Sequence, residues 1–220
     1  MFVGHFALGF AAKRATPRVS IAVLFVAAQF ADLLWPVLLA LGIERVAIEP
    51  GITRVTPLNF ISYPYSHSLL FLIIWGLALG LIYQRITGNK GTLLMISALV
   101  VSHWVLDFVT HRPDMPLYPG SETFGLGLWS SLPVTLLVEL TMFAVGVWMY
   151  AQATRARDLV GRWAFITLVG FLIVAYLGNL FGAPPPSVSA IYILGSIGGA
   201  VLLLWAWWVD KHRQAVEIGP

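Results

Sequence analysis

The chain has 220 residues, 59% of them apolar and only 10% charged, with a mean hydropathy of +0.84 and a formal net charge of +3. Soluble domains carry roughly 25% charged residues, so a water-soluble globule is excluded and an all-α polytopic membrane bundle is predicted, as one integral membrane domain over 1–220. Cysteine is absent, which excludes disulfides and thiolate metal sites, and the short basic clusters at the ends of apolar runs are an orientation signal that leaves no nucleic-acid footprint.

Residues 1–12 are apolar, with no basic residue ahead of them and Lys13, Arg14 and Arg18 behind, the reverse of the charge order of a secretory signal. The segment is therefore read as retained. It is too short to cross a hydrocarbon core of roughly 30 Å and is cut from the next run by Thr16 and Pro17. A half-helix beside the first span is predicted, with Met1 deep and Lys13 at the cytoplasmic surface. At a rise of about 1.5 Å per residue, His5 then lies roughly 12 Å in from that surface. The segment has no polar face, which argues against a helix lying flat on the membrane.

Six runs near the required ~20 apolar residues follow, at about 19–43, 67–86, 91–111, 129–152, 162–182 and 189–209. The stretches 44–66, 87–90, 112–128, 155–161 and 182–188 hold proline, glycine or charge and are predicted as loops. With the N-terminus inside, the inner side carries Lys13, Arg14, Arg18, Arg85, Lys90, Arg155, Arg157, Arg162, Lys211 and Arg213, against Arg45, Arg54 and Arg112 outside. That bias places both termini in the cytoplasm. Tyr63, Tyr65, Tyr118 and Trp129 outside, and Tyr83, Trp148, Trp163, Trp207 and Trp208 inside, fit two interfacial belts. No internal repeat is evident, which argues against the duplicated architecture of many transporters.

A charge at mid-bilayer costs ~2.5–3.5 kcal/mol on insertion scales, so each intramembrane ionisable residue is a candidate for function. Asp32 falls near the centre of span one and Glu139 near the centre of span four; His67 opens span two within Tyr65-Ser66-His67-Ser68. In span three, His103, Asp107 and His111 recur every four residues and line one helical face over roughly 12 Å. With His5, these seven groups lie at compatible depths in the middle to outer membrane. Imidazole and carboxylate suit Zn, Mn or Fe. Any one of them alone reads more simply as a helix-packing hydrogen bonder; seven together point to a shared metal or proton site. His212 reads as a solvated tail residue. Arg112, in His111-Arg112-Pro113-Asp114, is either a bidentate binder of a phosphate or carboxylate substrate or an anchor paired with Asp114.

Gly4-His5, Asp32, His67-Ser68, the His103–His111 triplet and the stretch Gly125-Leu126-Gly127-Leu128-Trp129-Ser130-Ser131-Leu132-Pro133 leading to Glu139 together resemble the YdjM-like predicted membrane-bound metal-dependent hydrolases, over about the first 150 residues. The resemblance implies an inner-membrane protein with a His/Asp metal centre and a hydrolytic role, without a defined substrate. In members of that family a proline-aspartate pair, a second acid and a His-Arg-Gly-x-Thr-His-Ser stretch often occur where this chain has Ala31-Asp32-Leu33-Leu34-Trp35 and Tyr63-Pro64-Tyr65-Ser66-His67-Ser68. The missing histidine and acid favour one ion over two.

The leading expectation is a hydrolase holding one divalent ion, zinc before manganese or iron, through His67, His103 and Asp107, with Asp32 or His111 completing the set and His5 a further candidate. Glu139 or Asp32 is the expected general base, Arg112 and Asp114 are candidate substrate contacts, and the expected substrate is a lipid or lipid-linked ester or phosphoester that arrives laterally from the bilayer. Two rivals are a transporter that moves a metal ion, protons or a small solute along the same groups and an assembly protein whose polar groups join helices.

Overall fold

The computed structural model describes residues 1–216, so the expected cytoplasmic position of Pro220 lies outside the described residues. α1 (Val3–Ala15) is followed by α2 (Ile21–Ala28) and α3 (Phe30–Ala40), a hairpin of β1 (Arg45–Ile48) and β2 (Leu58–Ser62), and the single turn α4 (Pro64–His67). Then come α5 (Leu69–Thr87), α6 (Thr92–Thr110), the short strands β3 (Met115–Pro116) and β4 (Thr123–Phe124), a 3-10 turn at Leu128–Ser130, and α7 (Leu132–Ala153). β5 (Thr154–Ala156), α8 (Leu159–Phe181), α9 (Val188–Lys211) and β6 (Arg213–Ala215) complete the described chain. Local chemistry sets several boundaries. Ser68, Asp158 and Ser187 accept from the first-turn amides Phe71 N, Gly161 N and Ala190 N, as N-caps do. Gly88 ends α5 with φ +69°, a left-handed turn that glycine adopts without strain.

α5 to α9 are each long and apolar enough to cross a membrane, and they match the spans expected from composition. The run 19–43 differs: it is two helices bent by 59° at Gln29. A kink follows where a side chain enters the helical hydrogen-bond ladder, and here the Ala28 carbonyl at the end of α2 accepts from His103 Nδ1 at 2.9 Å. The bent pair still runs the length of α9, antiparallel to it. Ile21 N donates to Asp210 at one end, and Pro36 lies against Gly195 towards the other.

α1 is a half-helix, as expected, but sits at the centre of the bundle, packed chiefly along α7 and less extensively against α2. The approach is close: a Cβ on Gly146 of α7 would lie 2.4 Å from the Ala7 carbonyl oxygen. Phe10 of α1 makes edge contacts with Phe25, Phe143, Tyr150 and Phe165, an apolar core between the two ends of the bundle. One end is covered by the β1–β2 hairpin and the segment 111–131, tied by Arg54 N to the Trp129 carbonyl (3.0 Å) and Leu70 N to the Leu117 carbonyl (2.9 Å). We call this the hairpin end. The other, basic end is strapped by antiparallel pairing of β5 with β6. The β1–β2 hairpin and the antiparallel pair of β3 with β4 fall in stretches expected to be plain loops.

The interfacial belts are only partly as expected. Tyr65, Tyr118, Trp148, Trp163, Trp207 and Trp208 are exposed, but Tyr63 is buried and the Trp129 ring packs on His111 with centroids 4.3 Å apart. Both are drawn inwards by the polar cluster at the hairpin end.

Candidate metal centre

Asp107, on α6 one turn beyond His103 and one before His111, is the hub of a buried cluster. Its Oδ2 lies 3.1 Å from His103 Nε2, 3.9 Å from His67 Nε2 and 4.0 Å from His111 Nε2. Its Oδ1 lies 3.0 Å from His5 Nε2 and also meets the Met1 amino group. Asp32 Oδ1 approaches from α3, 3.5 Å from His67 Nε2 and 3.8 Å from His103 Nε2. Six of the seven residues singled out in the sequence thus converge: five from α1, α3, α4 and α6, and His111, the residue that caps α6.

The imidazoles are oriented by partners on their other nitrogen. His103 Nδ1 faces the Ala28 carbonyl at 2.9 Å; a carbonyl only accepts, so Nδ1 carries the proton and Nε2 presents a lone pair. Ser66 Oγ lies 2.6 Å from Glu44 Oε2 and 2.7 Å from His67 Nδ1. The hydroxyl donates to the carboxylate and therefore accepts from the imidazole, which again leaves the His67 Nε2 lone pair free. Glu44 is itself held by the Tyr65 and Ser66 amides, at 2.8 and 2.9 Å. His111 Nδ1 donates to Asp114 Oδ1 at 2.9 Å, and its Nε2 faces Asp107. Such partners fix tautomer and ring direction in metal-binding histidines.

His103 Nε2 is fully buried and has no hydrogen-bond partner among the described residues, an arrangement that is unfavourable unless something else occupies the lone pair. His5, His103 and Asp107, and again Asp32, His67 and His103, each bring their ligand atoms within 4.8 Å of one another. The donor set, imidazole nitrogen with carboxylate oxygen, fits a divalent transition metal. His5 stacks on His103 with ring centroids 3.6 Å apart.

Two sequence candidates sit differently. Glu139 Oε2 accepts from Phe2 N at 2.8 Å and Gly4 N at 3.4 Å, so it satisfies the amides that open α1 inside the bundle. Arg112 donates to Asp114 Oδ2 at 3.1 Å and to Asn59 Oδ1. Asp114 is thereby shared among His111, Arg112 and Tyr63, whose hydroxyl donates to it at 2.9 Å. Burial and this neighbouring carboxylate push the Tyr63 phenol well above its ordinary pKa, so it remains a donor. His212 is partly exposed, and its Nδ1 lies 2.8 Å from Asp158 Oδ2 at the surface.

Glu44, Ser66 and Tyr63 were not singled out as site residues from sequence. The only local signal was Ser66 next to His67. The segment 125–127 also closes the site: Leu126 N and Gly127 N donate to the Phe108 and His111 carbonyls at 2.8 and 2.7 Å, capping the end of α6. A Cβ on Gly125 would fall 2.2 Å from the Arg112 carbonyl oxygen, so only glycine fits there.

Fold and composition define a multi-pass membrane protein with a buried His/Asp cluster. The sequence model of the YdjM inner membrane protein family matches residues 1–181, and the chain belongs to that family. No curated protein and no solved structure matches it.

Proposed function

We propose that this protein is a membrane-embedded metal-dependent hydrolase, with one divalent ion held by His67, His103 and Asp107 and with His111 or Asp32 completing the set. The observation that carries the reading is the orientation of three imidazoles, each tied through Nδ1 to an acceptor and each turning Nε2 towards Asp107 Oδ2. Such an ion would supply Lewis acidity, polarising a carbonyl or phosphoryl oxygen and lowering the pKa of water towards about 7. Zinc fits first, manganese or iron next. Asp32 is suited to take the proton of an attacking water: it lies beside two imidazoles, yet its side chain is 45% exposed to an adjoining cavity. Glu139, engaged with α1, is suited to holding His5 and Met1 in place. Asp114 steadies His111, and Arg112 steadies Asp114. The substrate class this favours is a lipid or lipid-linked ester or phosphoester.

A transport reading is less well supported, because the phenylalanine-rich core around Phe10 lies between the cluster and the basic end, across the route an ion would need. The basic end is cytoplasmic in this reading, which puts the cluster in the outer half of the membrane. Reporters in the 87–90 loop and after Pro220 are expected to be cytoplasmic and one in the 44–66 loop external; a cytoplasmic 44–66 loop reverses the orientation.

Elemental analysis of protein purified without chelator tests the metal. About one ion per chain is expected, lost in His103→Ala and Asp107→Asn and kept in His212→Ala. Folded wild-type protein without metal removes the basis of the hydrolase reading, and loss in the His212 variant moves the ligand set elsewhere.

A further inference from the structure

A cavity of about 390 Å³ lies beside the cluster, walled by α1, α3, α8 and α9, within the roughly 300–1,000 Å³ range of small-molecule sites. Most of its wall is apolar: Phe2, Phe6, Leu33, Phe171, Leu194 and Leu202 contribute. Polarity is confined to a few groups. Gln29, Asp32 and Trp35 line the cavity; the Gln29 oxygen and the Trp35 indole N–H are themselves covered, and the Asp32 carboxylate, its side chain 45% exposed, meets the cavity. Leu194 and Phe171, on its rim, are exposed on the apolar helix surface, which in a bilayer faces acyl chains. An apolar cavity with the Asp32 carboxylate in its wall and its rim on the lipid-facing surface matches an amphiphile that enters from the side.

We infer that this cavity binds one hydrocarbon chain of a membrane lipid, with the lipid's polar head at Asp32. The Asp32 carboxylate accepts from a hydroxyl or amide of the head, and the chain runs along α9. The inference deepens the hydrolase reading by naming where its substrate lies; chain binding itself does not depend on turnover. α9 begins beyond the stretch matched by the family, so the wall it supplies is a place where this chain sets its own substrate preference. Gly198 of α9 lines the cavity, and a Cβ there would meet nothing within 4 Å, so a larger side chain can fill the space without striking backbone.

The test uses the full chain in nanodiscs containing a minor fraction of phosphatidylglycerol with a diazirine at the end of one acyl chain. Irradiation is followed by peptide mass spectrometry and by elemental analysis of the same preparation. Wild-type protein is expected to carry adducts on Phe6, which is 5% exposed and out of reach of lipids around the bundle, as well as on Leu94 and Leu137, which are 79% and 69% exposed. Gly198→Phe and the milder Gly198→Leu lose the Phe6 adduct, keep those at Leu94 and Leu137, and keep the metal. Gly170→Phe, on an open face of α8 where a Cβ also meets nothing, behaves as wild type. Wild-type labelling restricted to Leu94 and Leu137, or undiminished Phe6 labelling in both Gly198 variants, overturns the inference. Labelled Phe6 in metal-free wild-type protein keeps the chain site and removes the hydrolase reading.

Discussion

Charged and titratable side chains are gathered at both ends of this bundle, but they are used differently. At the basic end Lys13, Asp158, Asp210 and Arg213 close a helix or a strand. Lys13 donates to the Val19 carbonyl at 2.7 Å and pairs with Asp210, whose other oxygen accepts from Ile21 N at 2.7 Å. Asp158 caps α8 and takes His212, and Arg213 donates to the Thr154 carbonyl at 3.1 Å. At the hairpin end the same residue types are half spent. His67, His103 and His111 are each anchored through one nitrogen, and the other is turned towards a shared carboxylate. Buried polar atoms without partners are costly; His103 Nε2 and His5 Nδ1 are two such atoms in one cluster, which argues for a ligand, whereas pairing argues for structure.

The comparison is broken most directly at Asp32. If it is the base, Asp32→Asn leaves the fold and the ion in place while turnover falls by ~10²-fold or more, the usual range for acid–base groups. The measurements are activity against a lipid ester or phosphoester and metal content of the same sample. Loss of the ion together with activity makes Asp32 a ligand, and unchanged turnover removes it from the chemistry.

A smaller effect is expected one step further out. Ser66→Ala deletes the link between Glu44 and His67 Nδ1 and frees the imidazole to change tautomer. Partners of this kind are worth roughly 10- to 100-fold in metal affinity, so chelator competition should show weaker binding by that factor with stoichiometry still reached at high metal. Thr154→Ala, which removes a comparable buried hydroxyl at the basic end, should leave affinity unchanged. Equal affinity in wild type and Ser66→Ala separates the Glu44–Ser66 pair from the site.

What was legible in the sequence follows from how local each feature is. Spans α5 to α9 were readable because bilayer thickness dictates the length of an apolar run, and the shared face of His103, Asp107 and His111 because it depends only on helical pitch. The bend at Gln29 was not: Ala28-Gln29-Phe30 contains neither glycine nor proline, and its cause is His103, 75 residues away. Glu44 lies 22 residues before Ser66 and reaches it only once the β1–β2 hairpin has folded back. The central position of α1 depends on Gly146 and Ala7 meeting across two distant segments. Tyr63 and Trp129 read as belt aromatics by type and were recruited to Asp114 and His111 by contacts no local pattern encodes.

Glu139 lies on the border between the two uses, and its variants give the last and smallest test. It accepts from Phe2 N and Gly4 N with one oxygen, while Oε1 is buried without a partner. The first amides of a helix have no intrahelical acceptor, and water is not at hand inside the bundle, so a carboxylate there is favoured both by hydrogen bonding and by the helix dipole. Glu139→Ala leaves those donors unsatisfied and should destabilise the protein by ~1–3 kcal/mol, read from unfolding in detergent. Glu139→Gln retains an acceptor of the same reach and should recover most of that loss, with metal content unchanged and turnover within roughly tenfold of wild type, below the ~10²-fold or greater loss expected of an acid–base group. If Glu139→Gln instead stays stable and metal-loaded while turnover drops by ~10²-fold or more, the general base is Glu139, its unpartnered oxygen faces the reacting water, and Asp32 returns to the ligand set.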